Sequence, residues 1–439
     1  MHILRYYLRL LLAFLSRYKG IILLSSFAGI IILFLYIFIS PLVISTKTEV
    51  IGITGRFHVN TLPDDILNTI GLGLTKIDDK GIPQPGLAIS WGTDDKGKTW
   101  KFKLNESVYW HDGKPLQSQD IKYNFSEVNV TYPSSDTIIF NLKEPYIAFP
   151  SVVSRPVFKK GLLGTGSWKV DKITVTGEYI QKIILIKGKS KIIYKFYPSE
   201  DQVKFAYKMG EINKMVNVLN PQPFDKWINS KVTNIVNKHE AVVIFFNTQD
   251  PVLSEKNIRQ ALSYAINKDI LSSERAISPI DPNSFAFNPQ VKLYDYDPAR
   301  SREIITALPK EVRSKLNVKL VSTPSLIGIA EKIVKDWKDV GVDGQALVSS
   351  VIPTDYQAYL TIFDIPTDPD QYTLWHSTQI DTNITKYKNP RIDKLLEDGR
   401  TQENFEERKR IYLDFQKYLL EDAPAIFLYH PNWYNLERK

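Results

Sequence analysis

The segment Phe363-Asp364-Ile365-Pro366-Thr367-Asp368-Pro369-Asp370-Gln371-Tyr372-Thr373-Leu374-Trp375 places three carboxylates close together. Such a cluster could hold a cation or move a proton. Glycoside hydrolysis would need two facing carboxylates about 5 Å or about 6.5–9.5 Å apart, and no second positioned group accompanies these aspartates. A capped, proline-stiffened turn is the other reading of the same residues. The remaining acidic pairs are less specific: Asp94/Asp95 reads as a solvated turn and Glu421/Asp422 as a helix end. The six histidines include no i, i+4 pair and no HExxH, so no metal site is expected. His111, followed by Asp112-Gly113, reads as a turn residue whose ring bonds the backbone. His376, next to Trp375, would be a weak metal ligand by itself. Cysteine is absent, which removes disulfides, thiolate nucleophiles and cysteine metal sites. The glycine-rich run GLLGTGSWK at 161–169 lacks the Gly-Lys-Ser/Thr ending through which a phosphate loop holds phosphate and magnesium.

The elements that must position these groups are those of an α/β protein. At 439 residues and 43% hydrophobic content the chain can bury a large core spread over two or three domains. After the turn Asp94-Asp95-Lys96-Gly97, Trp100, Phe102 and Leu104 alternate with Lys101 and Lys103, which predicts a half-buried strand. Gln117-Ser118-Gln119-Asp120 reads as a helix start. Strands are expected over 137–142, 179–186 and 192–197, and a helix over 200–209. The run AVVIFFN at 241–247 predicts a fully apolar strand, with Ser254 as the cap of a helix over 256–271. Asp297-Pro298 starts a further helix, 326–340 forms one closed by Gly341, and a long helix over 405–420 precedes a strand at 425–429.

The first fifty residues carry a separate signal. No charge occurs between Lys19 and Lys47, and the apolar run 20–43 would span ~36 Å as a helix, enough for a bilayer. Arg5, Arg9, Arg17 and Lys19 precede it with no acidic residue before Glu49, which places the N-terminus inside and the rest outside. The run is long and ends without Ala-x-Ala, so an uncleaved anchor is expected over a cleaved signal peptide. Residues 3–16 could also form an amphipathic helix on the inner surface. Half of the net charge of +8 lies in this flank, and the remainder is nearly balanced, which does not suggest a nucleic-acid partner.

One long ordered stretch carries a resemblance. Pro85-Gly86-Leu87-Ala88, Ser90-Trp91, the acidic turn and alternating strand, and Trp110-His111-Asp112-Gly113-Lys114-Pro115-Leu116 follow one another between 81 and 125. This order resembles the signature of the family 5 extracellular solute-binding proteins, the dipeptide, oligopeptide and nickel receptors of ABC importers. Three further segments resemble the family in order: Gly164-Thr165-Gly166-Ser167-Trp168-Lys169, the phrase from Phe246-Asn247-Thr248 to Ile258-Arg259-Gln260-Ala261-Leu262-Ser263-Tyr264-Ala265-Ile266-Asn267, and Asn389-Pro390-Arg391-Ile392-Asp393-Lys394-Leu395-Leu396. The chain departs from the family in lacking a lipid-modified cysteine and in the short segment 129–135, which implies a reduced small domain.

The resemblance implies an α/β, periplasmic-binding-protein type II-like, two-lobed (Venus flytrap) fold with a small third domain, preceded here by one transmembrane helix. The expected division is a basic flank at 1–19, a transmembrane helix at 20–44, lobe I at 47–75, 161–243 and 423–439, small domain II at 76–160 and lobe III at 244–422, with hinge strands near Phe246-Asn247 and Phe427-Tyr429. It implies a membrane-anchored extracellular or periplasmic receptor, not an enzyme, that captures peptides by lobe closure and passes them to ABC permease subunits. A tethered peptide sensor without transport is the alternative, and a hydrolase built on 364–370 a third reading. The chain is expected to act as a monomer without cofactor. In the family's peptide receptors an aspartate of the 364–370 loop pairs with the ligand's α-amine. Counting back from Asp368-Pro369 that position falls on Ile365, with Asp364 one residue early. Phe57, Asn247, Asp364, Asp368, Tyr372 and Trp375 are therefore the expected ligand-binding residues.

Overall fold

The computed structural model describes residues 15–21, 24–34, 47–272, 274–352 and 354–439. The strand Thr99–Leu104 buries Trp100, Phe102 and Leu104 and turns its lysines outward, as period-two alternation requires. It is central, with Thr137–Leu142, in a four-stranded antiparallel sheet of order 88–92, 99–104, 137–142, 128–134. The aromatic rings of Phe102, Phe125, Phe140 and Phe149 fill its core. His111 ties this small domain to the first lobe: its ring nitrogen Nε2 lies 2.8 Å from the Gly166 carbonyl and its N–H donates to the Gly164 carbonyl. The glycines of that loop serve close approach, since a Cβ on Gly164 would come within 2.1 Å of the Ile70 carbonyl oxygen. The helix anticipated at 117–120 is a single 3₁₀ turn, Ser118–Asp120, because the Asp120 carboxylate is taken by the Trp110 indole N–H and Lys159.

Two larger sheets make the two lobes. The first has seven strands in the order 230–236, 432–438, 214–218, 47–54, 190–197, 179–187, 169–176. The second has five, in the order 343–348, 317–322, 358–364, 240–246, 425–429. The strand Glu240–Phe246 explains the second sheet. Val242, Ile244 and Phe246 point into one hydrophobic cluster, and Ala241, Val243 and Phe245 into another on the opposite face. A strand buried on both faces reads as a continuous apolar run. Strand Ala425–Tyr429 follows the same rule, with Ile426 and Leu428 on one side and Ala425 and Phe427 on the other.

This membership corrects the expected lobe boundaries at 243 and 423. Both strands lie wholly in the five-stranded sheet, so the chain crosses between lobes at 237–239 and again at 430–431, not at Phe246-Asn247. The two crossings are pinned together: the Asn237 N–H donates to the Pro431 carbonyl, His430 Nδ1 lies 2.7 Å from the Glu240 carbonyl, and the Trp433 indole donates to Glu240 Oε2 at 2.7 Å. His239 Nδ1 lies 2.5 Å from Asp281 Oδ2.

At the N-terminus the described residues form two helices, Leu15–Ile21 and Leu24–Phe34, bent by 42°. Among the described residues no single helix is long and apolar enough to cross a membrane, though this pair together has the length and composition. Much of the expected span at 20–44 and nearly all of the amphipathic stretch 3–16 lie outside the described residues.

The helix expected over 256–271 ends at Ala265, and Ser254 does not cap it; the Ser254 hydroxyl donates instead to the Pro251 carbonyl. The cause of the early end is Lys268, which is 2% exposed. Its ammonium donates to the carbonyls of Ser263 (2.6 Å), Ile266 (3.3 Å) and Tyr294 (2.6 Å), one acceptor per proton. Burial pushes this amine down to about 7, while the three carbonyls favour its charged form. Lys268→Met should therefore destabilise the protein by about 2–4 kcal/mol, since it strands buried carbonyls; denaturant titration measures it. His239 offers a pH test. Its hydrogen bond to Asp281 raises its pKa from 6.5, with Asp79 and Asp65 adding to the shift. Because the folded protein holds that proton more tightly, the pair stabilises fully below about pH 6.5 and loses its effect as pH rises through the folded value. The stability difference between wild type and His239→Gln should shrink over that window.

Candidate functional site

In each lobe the parallel strands point their carboxyl ends toward the crossings. In lobe I these are 47–54, 190–197 and 214–218, and in lobe III 317–322, 343–348 and 358–364. The crevice outside such carboxyl ends is the place where an α/β sheet presents loops to a ligand.

Asp364 is the last residue of its strand and pairs directly across from Glu240, the first residue after the crossing. Its side chain is exposed, and among the described residues no cation reaches it. Partial burial alone raises its pKa, with no partner to oppose the effect. Burial also raises that of Glu240, against the Trp433 hydrogen bond and with Asp364 adding to the shift. Ile365, at the position the resemblance assigns to amine binding, is 5% exposed and donates its N–H to the His239 carbonyl. The carboxylate one residue earlier is the one that opens to solvent.

The other two aspartates of the loop are neutralised. Asp368 is held by Arg408 through two bonds of 2.6 and 3.2 Å, and Ser151 of the small domain donates to it at 3.4 Å. Asp370 pairs with Arg400 at 3.3 Å, and burial pushes its carboxyl above the ordinary range despite that partner. Asp368 is thus corrected from ligand contact to structural ion pair, because a desolvated carboxylate needs a cation and finds one inside the protein. The partner was legible in outline: Arg408 shares the buried face of the helix Phe405–Asp422 with Tyr412, Phe415 and Leu419.

Two further expectations change. Asn247 lies at the end of the strand 240–246 remote from the crossing, and its side chain is spent on the Tyr356 carbonyl and the Gln249 N–H. Trp375 is 1% exposed, packs at 6.0 Å on Phe245 and donates its indole N–H to Gln371, so it belongs to the core. Tyr372 is half-buried, stacked on His376 at 4.0 Å, with the Arg400 guanidinium 4.5 Å from its ring. His376 is 3% exposed and contacts Thr378 and Glu397. Phe57 lies just past the carboxyl end of the strand 47–54, half-buried, edge-on to Phe196 at 5.3 Å. Its ring folds over Gly55, where φ is +137° and a Cβ would lie 2.5 Å from the ring.

The arrangement suits binding more than chemistry: two of the loop's three carboxylates are paired with arginines. Among the described residues no group of three His, Cys, Asp or Glu side chains is placed to hold a metal ion.

Comparison with known proteins agrees. The family described as bacterial extracellular solute-binding proteins, family 5 (middle), matches residues 83–182 and 188–378. The oligopeptide-binding protein AppA of Bacillus subtilis is 23% identical over 477 residues, covering 89% of this chain and 86% of that protein. The dipeptide-binding protein of Escherichia coli is 22% identical, covering 81% and 82%. NikZ from Campylobacter jejuni, solved in complex with Ni(L-His), superposes with a TM-score of 0.75 at 22% identity, covering 90% of this chain and 95% of that one. With its two-lobed α/β architecture and the family match over most of its length, this chain belongs to the family 5 bacterial extracellular solute-binding proteins, which bind solutes and are not enzymes.

Proposed function

We propose that this chain is the extracellular receptor of an ABC importer, anchored at its N-terminus, and that it captures peptides carrying a free α-amine. The observation that carries the reading is Asp364: an exposed carboxylate with no cation among the described residues, at the carboxyl end of a strand beside the crossing. An open carboxylate at this place can receive an incoming ammonium through a charge-assisted hydrogen bond. The names of the Bacillus and Escherichia relatives support a peptide as the class of ligand. Phe57 would offer an aromatic face from the opposite lobe. The mechanism is closure of lobe I (47–75, 161–237, 432–439) and the small domain (76–160) on lobe III (240–429) by rotation about the two crossings. The closed shape is what a permease would read.

Thermal unfolding of the protein with a free-amine tripeptide mixture and with its N-acetylated counterpart tests this. A ligand at 100 times its dissociation constant adds about 2.7 kcal/mol, so free-amine peptides should raise the midpoint by several degrees and acetylated ones much less. Equal shifts for both would remove the amine reading. Asp364→Asn should weaken the free-amine peptides roughly tenfold to hundredfold and leave acetylated ones unchanged. The same carboxylate sets a pH dependence. Its pKa lies above 3.8 in the free protein, so wild-type affinity should fall as pH drops through that raised value, whereas Asp364→Asn should show no such fall.

A further inference from the structure

The aromatic turn at 144–149 is not absorbed by the ligand site, yet it makes the most specific contacts between the small domain and lobe III. The Arg400 guanidinium lies between two tyrosine rings, 4.6 Å from Tyr146 of the small domain and 4.5 Å from Tyr372 of lobe III. Arg400 also reaches Asp370 at 3.3 Å, and the Tyr146 hydroxyl faces that same carboxylate. The backbone joins in: the Ile147 N–H donates to the Arg400 carbonyl at 2.8 Å. Next to it, Ser151 donates to Asp368. The turn is itself held rigid, because Trp100 donates its indole N–H to the Tyr146 carbonyl at 3.1 Å and the Tyr146 N–H donates to Gly97.

The rest of this interface is not packed as a core. A pocket of about 250 Å³, open to solvent, lies between the two bodies and is lined by Trp91, Ile147, Phe285, Phe405, Asp368 and Arg408. The contact is therefore polar and aromatic, not a continuous core: beside Tyr146 it includes the Ile147 and Ser151 bonds, and the Phe285 N–H donates to the Lys80 carbonyl at 3.2 Å.

We propose that Tyr146 is a clasp: inserted against Arg400 and Asp370, it docks the small domain on lobe III and holds the cleft shut. The clasp closes on Arg400 and Asp370, at the far end of the loop that begins at Asp364. The inference concerns domain closure and stands whatever the ligand is.

The test needs no ligand. The chain has no native cysteine, so Lys101→Cys in the small domain and Glu406→Cys in lobe III, both exposed, can carry spin labels alone. Double electron–electron resonance on the full-length chain in detergent reads the distance between them. In the parent, one short distance should dominate; Tyr146→Ala should raise the longer-distance population on the order of tenfold, and Tyr146→Phe, which keeps the ring over Arg400, much less. Circular dichroism checks that each variant folds. If Tyr146→Ala does not, Arg400→Gln, at a partly exposed position, must give the same opening. A parent already dominated by the long distance, or an unchanged distribution in folded Tyr146→Ala or Arg400→Gln, would overturn the clasp.

Discussion

The strand Glu240–Phe246 must bury both of its faces, and most of the architecture follows from that constraint. Alternate side chains enter two separate clusters, so the strand needs hydrogen-bonded neighbours on both edges and apolar layers above and below. Its neighbours are 358–364 and 425–429. The antiparallel register with 358–364 sets Asp364 opposite Glu240, and the chain entering at Glu240 and leaving after Tyr429 makes the two crossings adjacent. Two adjacent crossings and a carboxylate beside them thus come from one pattern of burial.

The loop that follows shows how desolvation sorts like residues into different roles. Asp368 and Asp370 are withdrawn from water and each is met by an arginine from a helix of the same lobe. Removing either partner would leave an uncompensated buried charge. Asp364 lies exposed at the end of its strand, so water can solvate its carboxylate without a protein partner. The same electrostatics that make two carboxylates part of the framework leave the third, among the described residues, without a cation. The clasp extends this economy, since Tyr146 reaches across to the Arg400–Asp370 pair.

Elements whose signal is periodic were legible: the strand 425–429, the helix 200–209 and the Asp297 cap fall where the pattern places them. Misreadings occurred where a distant group intervenes. The helix after 256 stops because Lys268 turns back onto carbonyls, one of them Tyr294, far along the chain. Ser118–Asp120 stays a single turn because Trp110 and Lys159 claim the Asp120 side chain. Trp375 and Asn247 read as ligand groups from their neighbours in sequence, but one is core and the other closes a strand end.

Family and α/β class could be read from the chain alone, because ordered motifs and apolar periodicity are local properties that survive in one dimension. Folding in three dimensions settled which sheet owns the strand 240–246, which of three aspartates has no cation among the described residues, and that Tyr146 meets Arg400. Those outcomes depend on pairing and on charge compensation between segments far apart in the chain. Burial, and with it the free energy of an unpaired charge, exists only once the lobes are assembled.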